Sequence, residues 1–588
     1  MIRRDLQGDS PATAPGVPEA DETAAGSTYA AQEPSATLAA AAVIIPYGLW
    51  LLVTAGALAG RPPTAPIELE TLASAWHMAQ AGGWVPLRNG ETTPQVAPLQ
   101  DWLIIGGWRL FGADEWWPRL LSAIASLLSI ALTGAIAKAL WPHRSTTPLF
   151  ARILLIGVAG LILSATLVQP ETLALPTTLL GVLALAKLWQ QRRPWPMTML
   201  LWLVFAAALV ANLFMVGWAA LLLLPVLGLA APLAHDADTA PRDGGLSLGW
   251  HLPLILATLP AIGLAALWLD HAAPGKGVSF FAFGNGWIDP ATEATRREPW
   301  SLLLAPALLY PWICWKTLWR ALDRHLRGKL GPGFRLCLIY FGAAILSSLV
   351  AGEQLQGLLP VVPPLTLLGA RLLATQEIKP KDFHAVVPGF IALVIGLIFF
   401  LMNMIPTAHL DAVWRQFFDA PLPIWLGGSG LASGLVLLVS GYVLAQLSPS
   451  QQLSRTIQVA FLPALLVTCL NIEFAVNLRQ FFDLTPTAGR LKDLQEAGQE
   501  IAVYGPYRGE FDFYGRLDRT PAVLPSLPVA LAWARAHPMG AVVSYFDGSP
   551  IRLPGLPYFR GVARDRWVAI WPSSAVVESQ GRVLAASF

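Results

Sequence analysis

Four sets of polar side chains stand out against a strongly apolar sequence, and their types suit acid–base and anion-binding chemistry. Glu68, Glu70, Arg88 and Gln95 fall in one long half-polar stretch, and Gln169 and Glu171 lie in TLVQPETLAL. Lys276, Asp289, Arg296 and Arg297 share a later stretch, and Glu353 with Gln354 sits in SSLVAGEQLQGLLP. A carboxylate within reach of a hydroxyl can act as a general base. The planar fork of an arginine suits phosphate. Charged groups beside hydrocarbon are costly to keep, so each is a functional candidate wherever the flanking segments cross a membrane. Plainer roles exist for all of them. Glu68 follows Pro66 at the start of an amphipathic helix over 68–82 and would complement its dipole. The cations could snorkel to lipid head groups. His77 and His271 could titrate or ligate, but stand alone. Trp84 and Trp102 could stack on sugar rings or line a lipid groove, or belong to an interfacial aromatic belt.

The elements that would position these residues are membrane helices. The chain has 588 residues, 55% hydrophobic and 13% charged, against about 25% charged in soluble domains. Apolar stretches long enough to span a bilayer, about 17–25 residues, recur near 37–59, 119–140, 149–168, 172–189, 197–213, 216–233, 251–270, 300–319, 335–352, 355–374, 385–405, 424–446 and 457–476. That is about thirteen spans and a polytopic α-helical membrane protein. Pro176, Pro225, Pro260, Pro306 and the group Pro360, Pro363 and Pro364 should kink or interrupt several of them. Lys187, Arg192 and Arg193 share one loop, Lys316 to Arg335 flank another, and Arg371, Lys379 and Lys381 a third. All three loops fall on one side, which the positive-inside rule makes the cytoplasm. The N-terminus is then cytoplasmic, and the loops 61–118 and 271–299 face outward together with the C-terminus. The four polar sets all lie on that outer face.

Residues 1–36 lack apolar periodicity and are expected to be disordered. The transmembrane domain is expected over 37–476. Over 477–588 the apolar runs shorten to strand length in IAVYG, AVVSYF and WVAIW, around a helical PVALAWARAH. This reads as a small α/β domain outside the membrane. Cys314, Cys337 and Cys469 are scattered and form neither a disulfide framework nor a zinc site. HExxH, Walker A and GxGxxG patterns are absent, and so is any long basic run that would suggest nucleic acid.

The order of motifs resembles a known group. Glu68, Gly83-Trp84, Asn89-Gly90, Pro98, Trp102, Leu110-Phe111-Gly112, Glu115-Trp116 and Arg119-Leu120 with Ser122-Ala123 follow one another in the first outer loop. Glu171 opens a span, Pro311-Trp312 closes REPWSLLLAPALLYPWICW, and LLPVVPPLTLLGARLL and YGPYRGEFDFYGR come later. The series is similar to the C-type membrane glycosyltransferases that use polyprenyl-phosphate sugars, the group of lipid A aminoarabinose transferases and protein O-mannosyltransferases. Where that group has an aromatic-Glu-Lys-Pro-Pro motif, this chain has Gln95, Val96, Ala97 and Pro98. Ile67 stands at the first acidic position, Val216-Gly217 at a Lys-Gly pair, and Glu353 at a lysine.

The resemblance implies a C-type glycosyltransferase fold in a bacterial inner membrane, with the α/β domain in the periplasm. It implies transfer from a polyprenyl-phosphate sugar to a lipid, polysaccharide or protein acceptor. Such transfer needs a base, or a carboxylate holding a divalent metal, beside the acceptor hydroxyl. It also needs positive charge against the leaving phosphate. Glu68 is the candidate for the first role, with Glu171 or Glu70 as its partner; Glu68 and Glu70, two apart, would not share a helix face. Arg119, Arg88, Lys276, Arg296 and Arg297 are the phosphate candidates, and Gln95, Trp84, Trp102 and Glu353 would line the substrate. The alternative reading is a catalytically inactive relative that binds lipid-linked glycans or a partner enzyme. A secondary transporter would call for repeat symmetry and mid-membrane binding groups, which the sequence does not display.

Overall fold

The structure is a computed structural model and describes residues 35–61, 63, 66–88, 91–190, 194–235, 248–274, 279–284, 307–351, 355–375, 384–418, 430–447, 451–473, 475, 479–546, 556–563 and 566–585. Among these residues nine helical stretches are long and apolar enough to cross a membrane. They are Ala36–Leu58, Trp116–Leu140, Pro170–Gln190, Trp195–Ala234, Leu248–Ala272, Pro332–Leu349, Gly357–Thr375, Val386–Met404 and Gln452–Glu473. The chain is a multi-pass helical membrane protein.

The elements that matter for the site come early. They are α1 (Ala36–Gly60), α2 (Pro66–Ala81), a two-stranded ribbon of β1 (Leu87–Arg88) and β2 (Glu91–Thr92), α3 (Leu99–Phe111) and α4 (Trp116–Leu140). Then follow α5 (Thr147–Ile156), α6 (Ala159–Ser164), α7 (Pro170–Gln190) and α8 (Trp195–Val216). Helix α3 stops at Gly112, whose φ of 89° suits the residue beyond a helix end, and its N–H returns to the Trp108 carbonyl at 2.9 Å.

Tertiary contacts break two stretches that the sequence presents as single helices. The stretch 149–168 is not one helix: α5 ends at Ile156, and the Ala159 N–H donates to the Tyr310 carbonyl at 3.1 Å instead of continuing the helix. A side chain at Gly157 would run into Trp312 and Ala460. The run Trp195–Ala234 is broken at Gly217 (φ 76°), between the spans expected over 197–213 and 216–233; Gly217 packs against Gly284 (φ 91°) so closely that a Cβ on either would strike the other's backbone. The expected span 300–319 is also corrected. Its described part holds a 3₁₀ turn at Trp312–Cys314, an extended Trp315, and then a separate helix, Lys316–Leu326. Pro311 lacks the N–H an unbroken helix would need there. The expected span 424–446 is described from Leu431, as the helix Leu431–Gln446.

The C-terminal segment forms a five-stranded sheet in the order β4-β3-β5-β7-β6. Its strands are β3 (Ile501–Tyr504), β4 (Ala522–Leu524), β5 (Ala541–Phe546), β6 (Phe559–Ala563) and β7 (Arg566–Pro572). Strand β3 runs parallel to β4 and β5, and β7 runs antiparallel to β5 and β6. Alternate residues feed two cores, as the two-residue period of a strand requires. Ile501, Val503, Val543 and Ile570 pack towards the helix Thr485–Glu496. Ala502, Val542, Ala569 and Trp571 pack towards the helices Leu527–Ala536 and Ser573–Glu578. A further apolar cluster, with Leu72, Met78, Ile104, Trp108, Val168 and Phe513, joins this domain to the loop helices and to the turn before α7.

Candidate functional site

Helix α2 separates two polar groups because residues three and four apart share a helix face. Glu68 lies on the same face as Leu72 and Ala75, whereas Glu70, Ser74 and His77 form another. The expectation that Glu68 and Glu70 diverge is met. Glu68 is fully buried and pairs with Arg61 at 3.2 Å. Its Oε1 also accepts the Val168 N–H at 3.0 Å. Arg61 in turn donates to the Thr166 carbonyl. The pair therefore grips the turn that leads into α7, and Glu171 stands in the first turn of that helix. Glu171 is half-buried, and its Oε2 has no hydrogen-bond partner among the described residues. Gln169 is fully buried and donates to the Thr172 hydroxyl at 2.9 Å.

The other face of α2 meets the C-terminal domain. Glu70 pairs with Arg508 at 3.0 Å, and Arg508 is 55% exposed. His77 Nε2 lies 2.9 Å from the Asp512 carboxylate and 3.1 Å from the Thr520 hydroxyl. The Tyr507 hydroxyl donates to the same carboxylate. His77 is thus tied into the domain contact. Ser74 donates to Asp101 at 2.9 Å. Arg88, half-buried in β1, feels the charges of Glu70, Asp101 and Arg508, and burial lowers its pKa.

Asp101 is a residue that sequence reasoning missed. The available signal was an acid in the first turn of the otherwise apolar, tryptophan-rich LQDWLIIGGWRLF. Burial raises its carboxyl to about 7, against the pull of the Ser74 hydrogen bond and the Arg88 charge. The folded chain therefore keeps a proton on Asp101 through the interval from about pH 4 to 7, in which the unfolded chain has released it. Folding stability then falls as pH rises through that window, by at most about 1.4 kcal/mol per pH unit. Asp101→Asn keeps an acceptor for Ser74 and should abolish this slope. Unfolding by SDS titration in mixed micelles at pH 5 and pH 8 checks it: the variant should gain on the native chain between the two, being relatively more stable at pH 8 than at pH 5.

Arg119, expected to meet phosphate, is engaged by the chain itself. The side chain is 4% exposed. Its guanidinium lies 3.3 Å from Glu115, donates to the Ala57 carbonyl at 3.1 Å, and also donates to the Arg61 carbonyl. These contacts clasp the end of α1 to the start of α4. Of the other phosphate candidates, Arg88 is described, and Lys276, Arg296 and Arg297 lie outside the described residues, as does Glu353. Trp102 is half-buried, donates to the Trp84 carbonyl at 2.9 Å and packs edge-on to Trp268 at 5.3 Å. Trp84 presents an exposed ring edge-on to Trp102. The Gln95 carbonyl accepts the Gly284 N–H at 2.8 Å, which pins the loop to the turn after Leu248–Ala272.

The charged groups are distributed rather than pooled. Glu68 faces Arg61, Glu70 faces Arg508, Asp101 faces Ser74, and Asp512 faces His77. Among the described residues no three His, Cys, Asp or Glu side chains converge as a metal-binding set. The reaction below is derived from the chain's own groups.

The architecture is a helical membrane body whose first long loop packs against a small C-terminal sheet domain, and this fold is also found in solved membrane proteins. Residues 94–265 match the family model of dolichyl-phosphate-mannose-protein mannosyltransferases. The crystal structure of ArnT from Cupriavidus metallidurans in the apo state superposes with a TM-score of 0.62 at 18% identity, covering 91% of this chain and 99% of that one. The same protein bound to undecaprenyl phosphate gives 0.61 at 16% identity, over 91% of this chain and 98% of that one. The archaeal oligosaccharyltransferase AglB from Archaeoglobus fulgidus is more distant, with a TM-score of 0.46 at 11% identity over 86% and 69% of the two chains. No curated protein sequence matches the chain.

Proposed function

We propose that this protein is a membrane glycosyltransferase that moves a sugar from a polyprenyl-phosphate donor to a lipid, polysaccharide or protein acceptor. One observation carries the reading. Within the segment matched by the mannosyltransferase family model, Glu171 opens a membrane helix from a turn that a buried ion pair holds. In this reading Glu171 takes the proton of the acceptor hydroxyl. The hydroxyl oxygen bonds to the anomeric carbon as the carbon–oxygen bond to phosphate breaks, and polyprenyl phosphate departs with the electron pair. Glu68 suits positioning better than proton transfer, since Arg61 and the Val168 amide hold its carboxylate in full burial. Arg88 is the described cation for the phosphate, with Lys276, Arg296 and Arg297 proposed beside it. Trp84, Trp102 and Gln95 would shape the approach of the lipid or sugar.

The basic loops support a cytoplasmic N-terminus, and hence a site and C-terminal domain on the periplasmic face of a bacterial inner membrane. Substitution at charged motif positions, such as Val96, supports a second reading in which the fold binds lipid-linked glycans without turnover. Both readings require recognition of the phosphate. Native mass spectrometry of the purified protein should retain undecaprenyl phosphate and lose the neutral undecaprenol under the same conditions. Equal retention of the two would remove phosphate recognition, and both readings with it.

A further inference from the structure

The C-terminal domain is joined to the candidate site by more than apolar packing. The Tyr514 hydroxyl donates to Glu115 Oε2 at 2.7 Å, and the other oxygen of Glu115 lies 3.3 Å from the Arg119 guanidinium. Arg119 holds the carbonyls of Ala57 and Arg61, and the Arg61 side chain holds Glu68. Glu68 and Arg61 then hold the Val168 amide and the Thr166 carbonyl, just ahead of Glu171. Polar contacts thus run without a break from the domain's 507–520 segment, through the starts of α4 and α2, to the turn before α7.

We infer that Tyr514 is a positioning residue, which through Glu115 and Arg119 fixes the Arg61–Glu68 pair and so the turn that presents Glu171. The inference rests on the reading of Glu171 as the base, and it concerns a residue on a domain separate from the chemistry. The argument turns on Glu115. Its side chain is 37% exposed, so a water can replace the tyrosine hydroxyl, but a water leaves the carboxylate free to rotate away from Arg119. Arg119 and Glu68 are almost fully buried and have no such replacement. The domain itself is anchored elsewhere. Trp108 stacks on Phe513 at 5.2 Å, the Trp76 N–H donates to the Leu517 carbonyl at 3.1 Å, and Gln80 donates to Asp518 at 3.4 Å. Tyr514→Phe keeps the ring against Phe513 and removes the hydroxyl alone.

The test reads the turn directly, without relying on activity. Hydrogen–deuterium exchange of the full-length protein in detergent is followed for residues 166–171 in the native chain, Tyr514→Phe, Glu115→Gln and the control Gln80→Ala. Exchange at the Val168 amide should quicken roughly two- to tenfold, the range one net hydrogen bond controls, in the first two variants and stay at the native rate in the control. In a transfer assay the same two variants should lose kcat by a similar factor, with KM unchanged. Native exchange rates in both Tyr514→Phe and Glu115→Gln would overturn the inference, whatever the activity. Faster exchange in a protein that transfers no sugar would uphold the positioning and remove the reading of Glu171 as a base. If Tyr514→Phe also loses protection across 507–520, the domain has undocked, and Glu115→Gln decides.

Discussion

Glu171→Gln lowers kcat for sugar transfer by about 10²- to 10⁴-fold, the range for loss of a general base, and leaves donor binding unchanged. Glutamine matches the shape of glutamate and cannot take a proton. Glu171 is the carboxylate at the end of the 166–171 segment with an oxygen that no described residue engages, and its helix opens at Pro170. Steady-state kinetics with a polyprenyl-phosphate sugar checks this. Glu68→Gln should act through the turn and lose far less. The roles are reversed if Glu68→Gln abolishes turnover and Glu171→Gln stays within about threefold of native, below the loss expected of a base.

Arg61→Ala destabilises the protein by about 3–5 kcal/mol, because it leaves a buried carboxylate without its counter-charge. Arg61 is 5% exposed and Glu68 is fully buried, so solvent does not screen the pair. Replacing both partners together, as in Arg61→Met with Glu68→Leu, should restore most of the stability, since an apolar pair carries no desolvation penalty. SDS-titration unfolding of the single and double variants checks both halves. A single variant as stable as the native chain would mean that water reaches Glu68 and that the turn is not braced by the pair.

Much of the fold was legible, for physical reasons. Membrane helices announce themselves by length and apolarity, and the C-terminal strands by short alternating runs between turns. The spacing of Glu68 and Glu70 gave their divergence. What was not legible shares a cause. Whether α5 continues past Ile156 depends on the Tyr310 carbonyl, far along the chain. Arg119 lay at a helix entry that its motif made suggestive. Its role is set by the carbonyls of Ala57 and Arg61, which no local pattern reveals. Arg61 is, in sequence, only a flank of the first span; Glu68 gives it its role. Asp101, Arg508 and Tyr514 were equally silent, since what distinguishes them is the neighbour each meets across the loop and the C-terminal domain.

The central claim is that the chain breaks the bond between a sugar and polyprenyl phosphate. The most direct measurement is mass-spectrometric quantification of polyprenyl phosphate released by the purified native protein from a panel of polyprenyl-phosphate sugars, with Glu171→Gln in parallel. Release that depends on the native chain and disappears in Glu171→Gln is the predicted result. Tight donor binding with no release from any donor, the same in both proteins, would contradict the claim and leave a lipid-binding relative that keeps the fold without the chemistry.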